Sequence, residues 1–142
     1  MVLRRPLGKN NIAIVCGLFH QKHVQVMLDE AMVAAKEANL NIVKKVWVPG
    51  SFEKQLVIKR LLSSKEIDGV VALGIIERGE TRHGLVIGIA VLSAIINLQL
   101  EFNKPVGIGI LGPEILPHQI EPRLMPHARN AVLAVKALLK SL

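Results

Sequence analysis

The segment Glu77-Arg78-Gly79-Glu80-Thr81-Arg82-His83 holds more potential chemistry than any other stretch of the chain. Gly79 frees the backbone to approach a ligand. The amides of Gly79 to Arg82 stand at an expected helix start, where orphan N–H groups can hold an anion. His83 falls in the first turn of that helix, placed to move protons for whatever the loop holds, because imidazole titrates near neutral pH. The opposing reading makes Gly79 a turn glycine and His83 a surface residue. Glu80 favours that reading, since its carboxylate repels a phosphate unless it points outward.

Other residues offer narrower possibilities. Phe19 follows a strand end, where its ring either stacks on a planar ligand or caps the sheet. His20 and His23 are three apart and would meet one metal ion on a helix. No Cys or carboxylate stands beside them at a suitable spacing, so no metal site is expected. His118 and His127 show no better ligand pattern. Arg123 and Arg129 bracket the end of a proline-rich stretch, and either supplies the cation a phosphate needs or simply lies on a solvated helix face. Gly107-Ile108-Gly109-Ile110-Leu111-Gly112 matches G-x-G-x-x-G, but it lies mostly inside the fourth strand and Pro113 follows it. Close sheet packing explains these glycines, and a dinucleotide is not expected.

Short apolar runs alternating with helical patterns position these residues. Ile12 to Gly17, preceded by Asn11, reads as a buried strand. Val24, Met27, Leu28, Ala31, Met32 and Ala35 mark a helix over about Lys22 to Ala38. A second strand covers Asn41 to Val48 and stops at Pro49-Gly50. Ser51 is the expected N-cap of a helix over Phe52 to Leu62. A third strand spans Gly69 to Ile76, followed by a helix from about Thr81 to Glu101. Lys104 to Ile110 forms the fourth strand. An ordered loop through Pro113 and Pro117 then leads to a last helix, from Arg123 or Pro126 to Leu139.

This βαβαβαβα order predicts an α/β protein, a flavodoxin-like three-layer α/β/α fold with a four-stranded parallel sheet ordered 2-1-3-4. The ligand crevice is then expected at the switch point, beside the carboxyl ends of strands one and three, with Val48 to Glu53 nearby.

Composition bounds the partners. The 142 residues fit one domain, 1–142, with residues 1–10 an extended N-terminal arm, and 51% are hydrophobic, which excludes a polar disordered chain. No uninterrupted apolar run approaches the ~20 residues of a bilayer span, and the first residues lack a signal peptide's apolar region, so no membrane partner is expected. Cys16 alone excludes an internal disulfide framework and fits a reducing, cytoplasmic compartment. Eighteen Lys and Arg against eleven Asp and Glu leave a net charge of +7. The basic residues are scattered and aromatics are only 3%, against a nucleic-acid partner. A small phosphorylated ligand fits better.

Three groups of residues converge on one family. They are Val48-Pro49-Gly50-Ser51-Phe52-Glu53; Ala72-Leu73-Gly74 with Arg78-Gly79-Glu80-Thr81-Arg82-His83; and Lys104-Pro105-Val106 with Gly109-Ile110. Together they resemble the 6,7-dimethyl-8-ribityllumazine synthases over nearly the whole chain from Asn11, and the Glu after Gly79 looks like the archaeal branch. The resemblance implies condensation of 5-amino-6-(D-ribitylamino)uracil with 3,4-dihydroxy-2-butanone 4-phosphate, without a cofactor, in riboflavin biosynthesis. By the resemblance, Phe19 matches the residue that stacks on the pyrimidine. Gly50, Ser51, Phe52 and Glu53 match the loop holding the ribityl chain and ring edge, and Ile75, Ile76 and Glu77 the strand end beside the ring. Gly79, Glu80 and Thr81 match the phosphate cradle, His83 the proton-transfer histidine, and Ile108 a residue contributed across a subunit boundary. Arg123 matches the phosphate arginine, with a one-residue shift near Pro122.

The family's sites lie between subunits of a pentamer, twelve of which can build an icosahedral shell of sixty chains. Two departures stand out. Gly84-Leu85-Val86 follows His83 where the family has an acidic or aromatic residue. Leu124 to Asn130 replaces a lysine- and glycine-rich turn. An archaeal-type riboflavin synthase, which shares the fold, and a non-catalytic lumazine- or flavin-binding shell protein are the competing expectations.

Overall fold

Three of the four strands carry near-continuous apolar runs and need cover on both faces, while the edge strand over residues 41–48 is largely half-buried or exposed. In a computed structural model, which describes residues 9–141, the strands are β1 (Asn11–Gly17), β2 (Asn41–Val48), β3 (Gly69–Glu77) and β4 (Val106–Ile115). They pair in parallel in the order β2-β1-β3-β4, the flavodoxin-like arrangement expected from the sequence. Helices α1 (Gln21–Glu37) and α4 (Pro117–Lys140) cover one face, where Met27, Ala31, Ile120, Leu124 and Val132 pack on Ile12, Ile14 and Leu73. Helices α2 (Lys54–Leu62) and α3 (His83–Phe102) cover the other, with Ile58, Val91 and Ile95 against Val15, Val70 and Ala72. Of the expected N-terminal arm, residues 1–8 lie outside the described residues.

Four element boundaries differ from expectation, each for a physical reason. Ser51 does not cap an α-helix: Ser51–Glu53 forms a 3-10 turn, and α2 begins only at Lys54. Helix α3 starts at His83 instead of Thr81, because the Thr81 hydroxyl accepts the His83 N–H at 3.2 Å and ends the loop there. Strand β4 runs five residues beyond Ile110. Pro113 does not stop it, because β4 is an edge strand and needs no donor on its open side. Within it Gly112 has φ +95°, and a Cβ there would lie 2.0 Å from the Ile76 carbonyl, so only glycine fits.

The largest departure is α4, which starts at Pro117 and carries Pro122 and Pro126 inside it. Pro117 occupies the first helical position, where its missing N–H costs nothing. Gln119 closes the end: its amide donates to the Leu116 carbonyl at 2.9 Å and its side-chain oxygen accepts the Leu116 N–H at 2.9 Å. An interior proline costs about 3 kcal/mol, whereas burying one Ile or Leu side chain returns ~1.5–3 kcal/mol. Ile120 and Leu124, each 2% exposed, offset much of that cost, and the buried Ala128, Ala131, Val132 and Val135 further along α4 hold the segment in the helix with them.

The G-x-G-x-x-G glycines serve packing. A Cβ at Gly107 would lie 2.2 Å from the Ala131 carbonyl of α4. Helix α3, in contrast to the expectation of no membrane span, is long and apolar enough by length and composition to cross a bilayer. It nonetheless lies on the sheet through Gly88, Val91 and Ile95, and its outer side carries exposed Val86, Ile89, Ile96 and Leu100.

Candidate active site

The parallel strands deliver their carboxyl ends to one edge, and a cavity of about 470 Å³ opens there, at the expected switch point. From the turn after β1 comes Phe19; from the turn after β2 come Pro49, Gly50, Ser51, Phe52 and Glu53. Strand β3 ends in it with Ile75, Ile76 and Glu77. The following loop and helix add Gly79, Thr81, His83, Gly84 and Ile87. Thirty-three residues apart in sequence, Phe19 and Phe52 are respectively 54% and 52% exposed, so two of the few rings present apolar faces to an open cavity instead of closing the core.

The loop after β3 leaves backbone donors and open space beside the cavity. Arg78 N–H donates to the Ile115 carbonyl at 2.8 Å, anchoring the loop to β4. Among the described residues, no acceptor takes the N–H of Gly79, Glu80 or Thr81. A Cβ on Gly79 would meet nothing within 4 Å, so the fold itself leaves space there. Arg78 pairs with Glu114 at 3.4 Å. His83, exposed at the first position of α3, lines the cavity, and among the described residues no side chain hydrogen-bonds its imidazole.

Three expected site residues stand apart from this cavity. Glu80 is exposed on the loop but does not line it. Ile108 lies half-buried in mid-β4, packed toward the α2–α3 face. Arg123 projects from the exposed side of α4, with Nη1 donating to the Gln119 carbonyl at 3.0 Å. The open choice between the two arginines narrows on α4. Arg129 donates to Glu30 at 2.7 Å and to Glu37 at 2.6 Å, tying α4 to α1. Its hydrogen bond holds the Glu37 carboxyl below the usual carboxylate range.

Two features escaped sequence reasoning. His20, expected at the crevice and weighed as half of a metal pair, adopts φ 57° and hydrogen-bonds Glu77 at 2.9 Å, a contact between the ends of β1 and β3 that no reading of the sequence foresaw. Its ring stacks on His23 and meets Phe19 edge-on, which steadies the aromatic at the cavity mouth. Lys54 is 1% exposed, and its ammonium lies over Gly17 and Gly74. Nothing in a helical pattern marks one lysine among several as buried; only the two facing glycines, far apart in sequence, make the space. Of the remaining histidines, His127 donates Nε2–H to the Ile110 carbonyl at 3.0 Å. No group of three metal-ligating side chains comes together among the described residues.

Comparison with known proteins agrees with the geometry. The family model for 6,7-dimethyl-8-ribityllumazine synthase matches residues 9–142. A protein of that name from Metallosphaera sedula is 40% identical over 121 residues, covering 85% of this chain and 80% of the relative. Its counterparts from Sulfolobus acidocaldarius and Saccharolobus islandicus are 33% and 37% identical over 135 and 134 residues, covering 95% and 94% of this chain and 85% and 87% of the relatives. A parallel sheet of this order, a crevice at its switch point and similarity along nearly the whole chain lead to one conclusion: the chain belongs to the 6,7-dimethyl-8-ribityllumazine synthase family.

Proposed function

We infer that the protein is a transferase that condenses 5-amino-6-(D-ribitylamino)uracil with 3,4-dihydroxy-2-butanone 4-phosphate. The products are 6,7-dimethyl-8-ribityllumazine, phosphate and water, in the penultimate step of riboflavin biosynthesis. The observation that carries the reading is the coincidence of the family match with a switch-point cavity that joins an aromatic face, a free-amide loop and an imidazole.

Phe19 stacks on the pyrimidine, beside Ile75, Ile76 and Glu77. Gly50, Ser51, Phe52 and Glu53 hold the ribityl chain and ring edge. Gly79 and Thr81, with Glu80 turned outward, offer backbone N–H groups to the phosphate. The uracil amine attacks the ketone to give an imine, phosphate leaves, and the second nitrogen closes the ring. Every step moves protons, and His83 at the cavity wall carries them, an effect typically worth ~10²–10⁴ in rate. Holding two reactants together supplies much of the rest.

The site is completed by a second copy, which brings Arg123 and Ile108. Support comes from two sides: neither residue lines the cavity of its own chain, and Arg129 is already paired. Val86, Ile89, Ser93, Ile96 and Leu100 form an exposed stripe on α3 with alternating spacings of three and four, the pattern of a helix packed against helices. Because α3 connects two neighbouring strands of one sheet, it cannot enter a bilayer without opening that sheet; copies of the same chain are the fitting cover. The reading extends to one domain over residues 1–142, homopentamers, sixty-chain shells and a cytoplasmic location.

Mixing the protein with both substrates should generate the lumazine chromophore well above the uncatalysed rate. No acceleration with intact substrates would overturn the reading, and riboflavin formed from lumazine alone would favour the riboflavin synthase alternative.

A further inference from the structure

Lys54 follows the Gly50–Glu53 turn directly, yet its side chain runs under the cavity and not into solvent. Its Nζ sits where a Cβ on Gly74 or Gly17 would intrude to 2.5 Å or 2.9 Å, between the ends of β3 and β1. Among the described residues, no carboxylate pairs with it, and its one hydrogen-bond partner is Ser51 Oγ at 3.4 Å. A buried ammonium with so little compensation is expensive, and an apolar side chain of similar length would fill the same groove without desolvation cost. Burial pushes the Lys54 amine down to about 8, opposed in part by the negative charge of Glu53. The amine still carries its proton at neutral pH.

We propose that Lys54 is a positioning residue for the pyrimidine substrate, its buried ammonium directing the Ser51 hydroxyl to donate to an acceptor oxygen of the ribityl chain or ring edge. A hydroxyl has one proton and two lone pairs. The ammonium can only donate, so it occupies a lone pair of Ser51 Oγ and leaves the Ser51 proton for the occupant of the cavity, which Ser51 lines. The Ser51 hydroxyl has no other hydrogen-bond partner among the described residues. Lys54 thus touches no reactant and acts through Ser51. The phosphorylated substrate, held by the loop after β3, lies outside its influence.

The proposal rests on the functional reading above, so wild-type turnover comes first: failure to form lumazine defeats that reading and not the role of Lys54. Given turnover, Lys54→Met should raise KM for the ribitylaminouracil about tenfold, the worth of one oriented hydrogen bond. The kcat and the KM for the butanone phosphate should stay within about twofold. Gly74→Ala gives an independent route, because its methyl group displaces the end of Lys54 and touches nothing else within 4 Å. It should reproduce the KM rise in the wild type and add nothing in the Lys54→Met background. Ser51→Ala should match Lys54→Met, and the double variant should be no worse than either single one. Unchanged KM in Lys54→Met and Gly74→Ala, or losses that multiply in the double variant, would overturn the proposal. So would a parallel loss of kcat and of affinity for both substrates.

Discussion

Lys54 makes a stability prediction independent of its proposed role. Its amine falls from 10.5 to about 8 on folding, so the folded state resists a proton the unfolded chain accepts readily. The penalty is complete below pH 8, where both states are protonated. It fades between pH 8 and 10.5, where only the unfolded chain keeps the proton, and stability from this group rises with pH there. Lys54→Met should therefore be more stable than wild type by roughly 3 kcal/mol at neutral pH, with the gap closing as pH approaches 10.5. Urea unfolding at both ends of that window checks it; a gap that does not change with pH would contradict the buried charge. Between pH 8 and 10.5 the folded Cys16 thiol, pushed up to about 12 by burial, stays protonated in both proteins, so its coupling to Lys54 does not enter the comparison. The two arginines of α4 should also separate. Arg129→Ala should lower the melting temperature by freeing Glu30 and Glu37, with KM for the phosphorylated substrate unchanged. Arg123→Ala should raise that KM about tenfold or more while leaving the melting temperature alone, because one charge-assisted phosphate contact is lost.

At the scale of elements, the sequence was most legible where burial leaves one reading. The apolar run of β1, the β-branched run of β2 and the spacing in α1 each lie within a residue of expectation. Legibility failed where local chemistry and tertiary burial disagree. Prolines at 113, 117, 122 and 126 signal a loop by propensity, yet an open sheet edge admits the first and the buried Ile120–Leu124 face carries the others into α4. The cavity lining was readable because strand ends and glycine-rich turns declare themselves locally. The His20–Glu77 contact and the Lys54 groove join distant segments and leave no local trace. Pro126 gives the test of this balance. It is exposed in the helix interior, so Pro126→Ala restores a donor for the Pro122 carbonyl at no cost in packing. Unfolding in urea should show a gain of about 1–2 kcal/mol, the helical benefit less the added freedom of the unfolded chain. A loss would mean that the proline shapes α4 for a purpose the burial pattern does not reveal.

For the whole molecule, the net charge of +7 resolves into separate tasks. Lys104 satisfies the Leu62 and Ser64 carbonyls at the end of α2, at 2.9 and 2.8 Å, and Arg129 ties α1 to α4. Lys54 is buried, and Arg123 is among the cations left on the surface, where the proposed function gives it to a phosphate. The apolar surplus resolves likewise into the stripe on α3. If copies pack through this stripe as proposed, Ile89→Glu with Ile96→Glu should give monomers by analytical ultracentrifugation and abolish turnover, with far-ultraviolet dichroism retained, because both side chains already face outward. An active monomer would contradict a shared site. The most direct measurement mixes two variants. Assemblies of His83→Ala alone or Arg123→Ala alone, unfolded and refolded separately, should form lumazine poorly at low substrate. Refolded together, they should regain activity, because some cavities then combine an intact His83 with an intact Arg123 from a different chain. Activity no greater than the average of the two separate samples would contradict a condensation site built between copies of this chain.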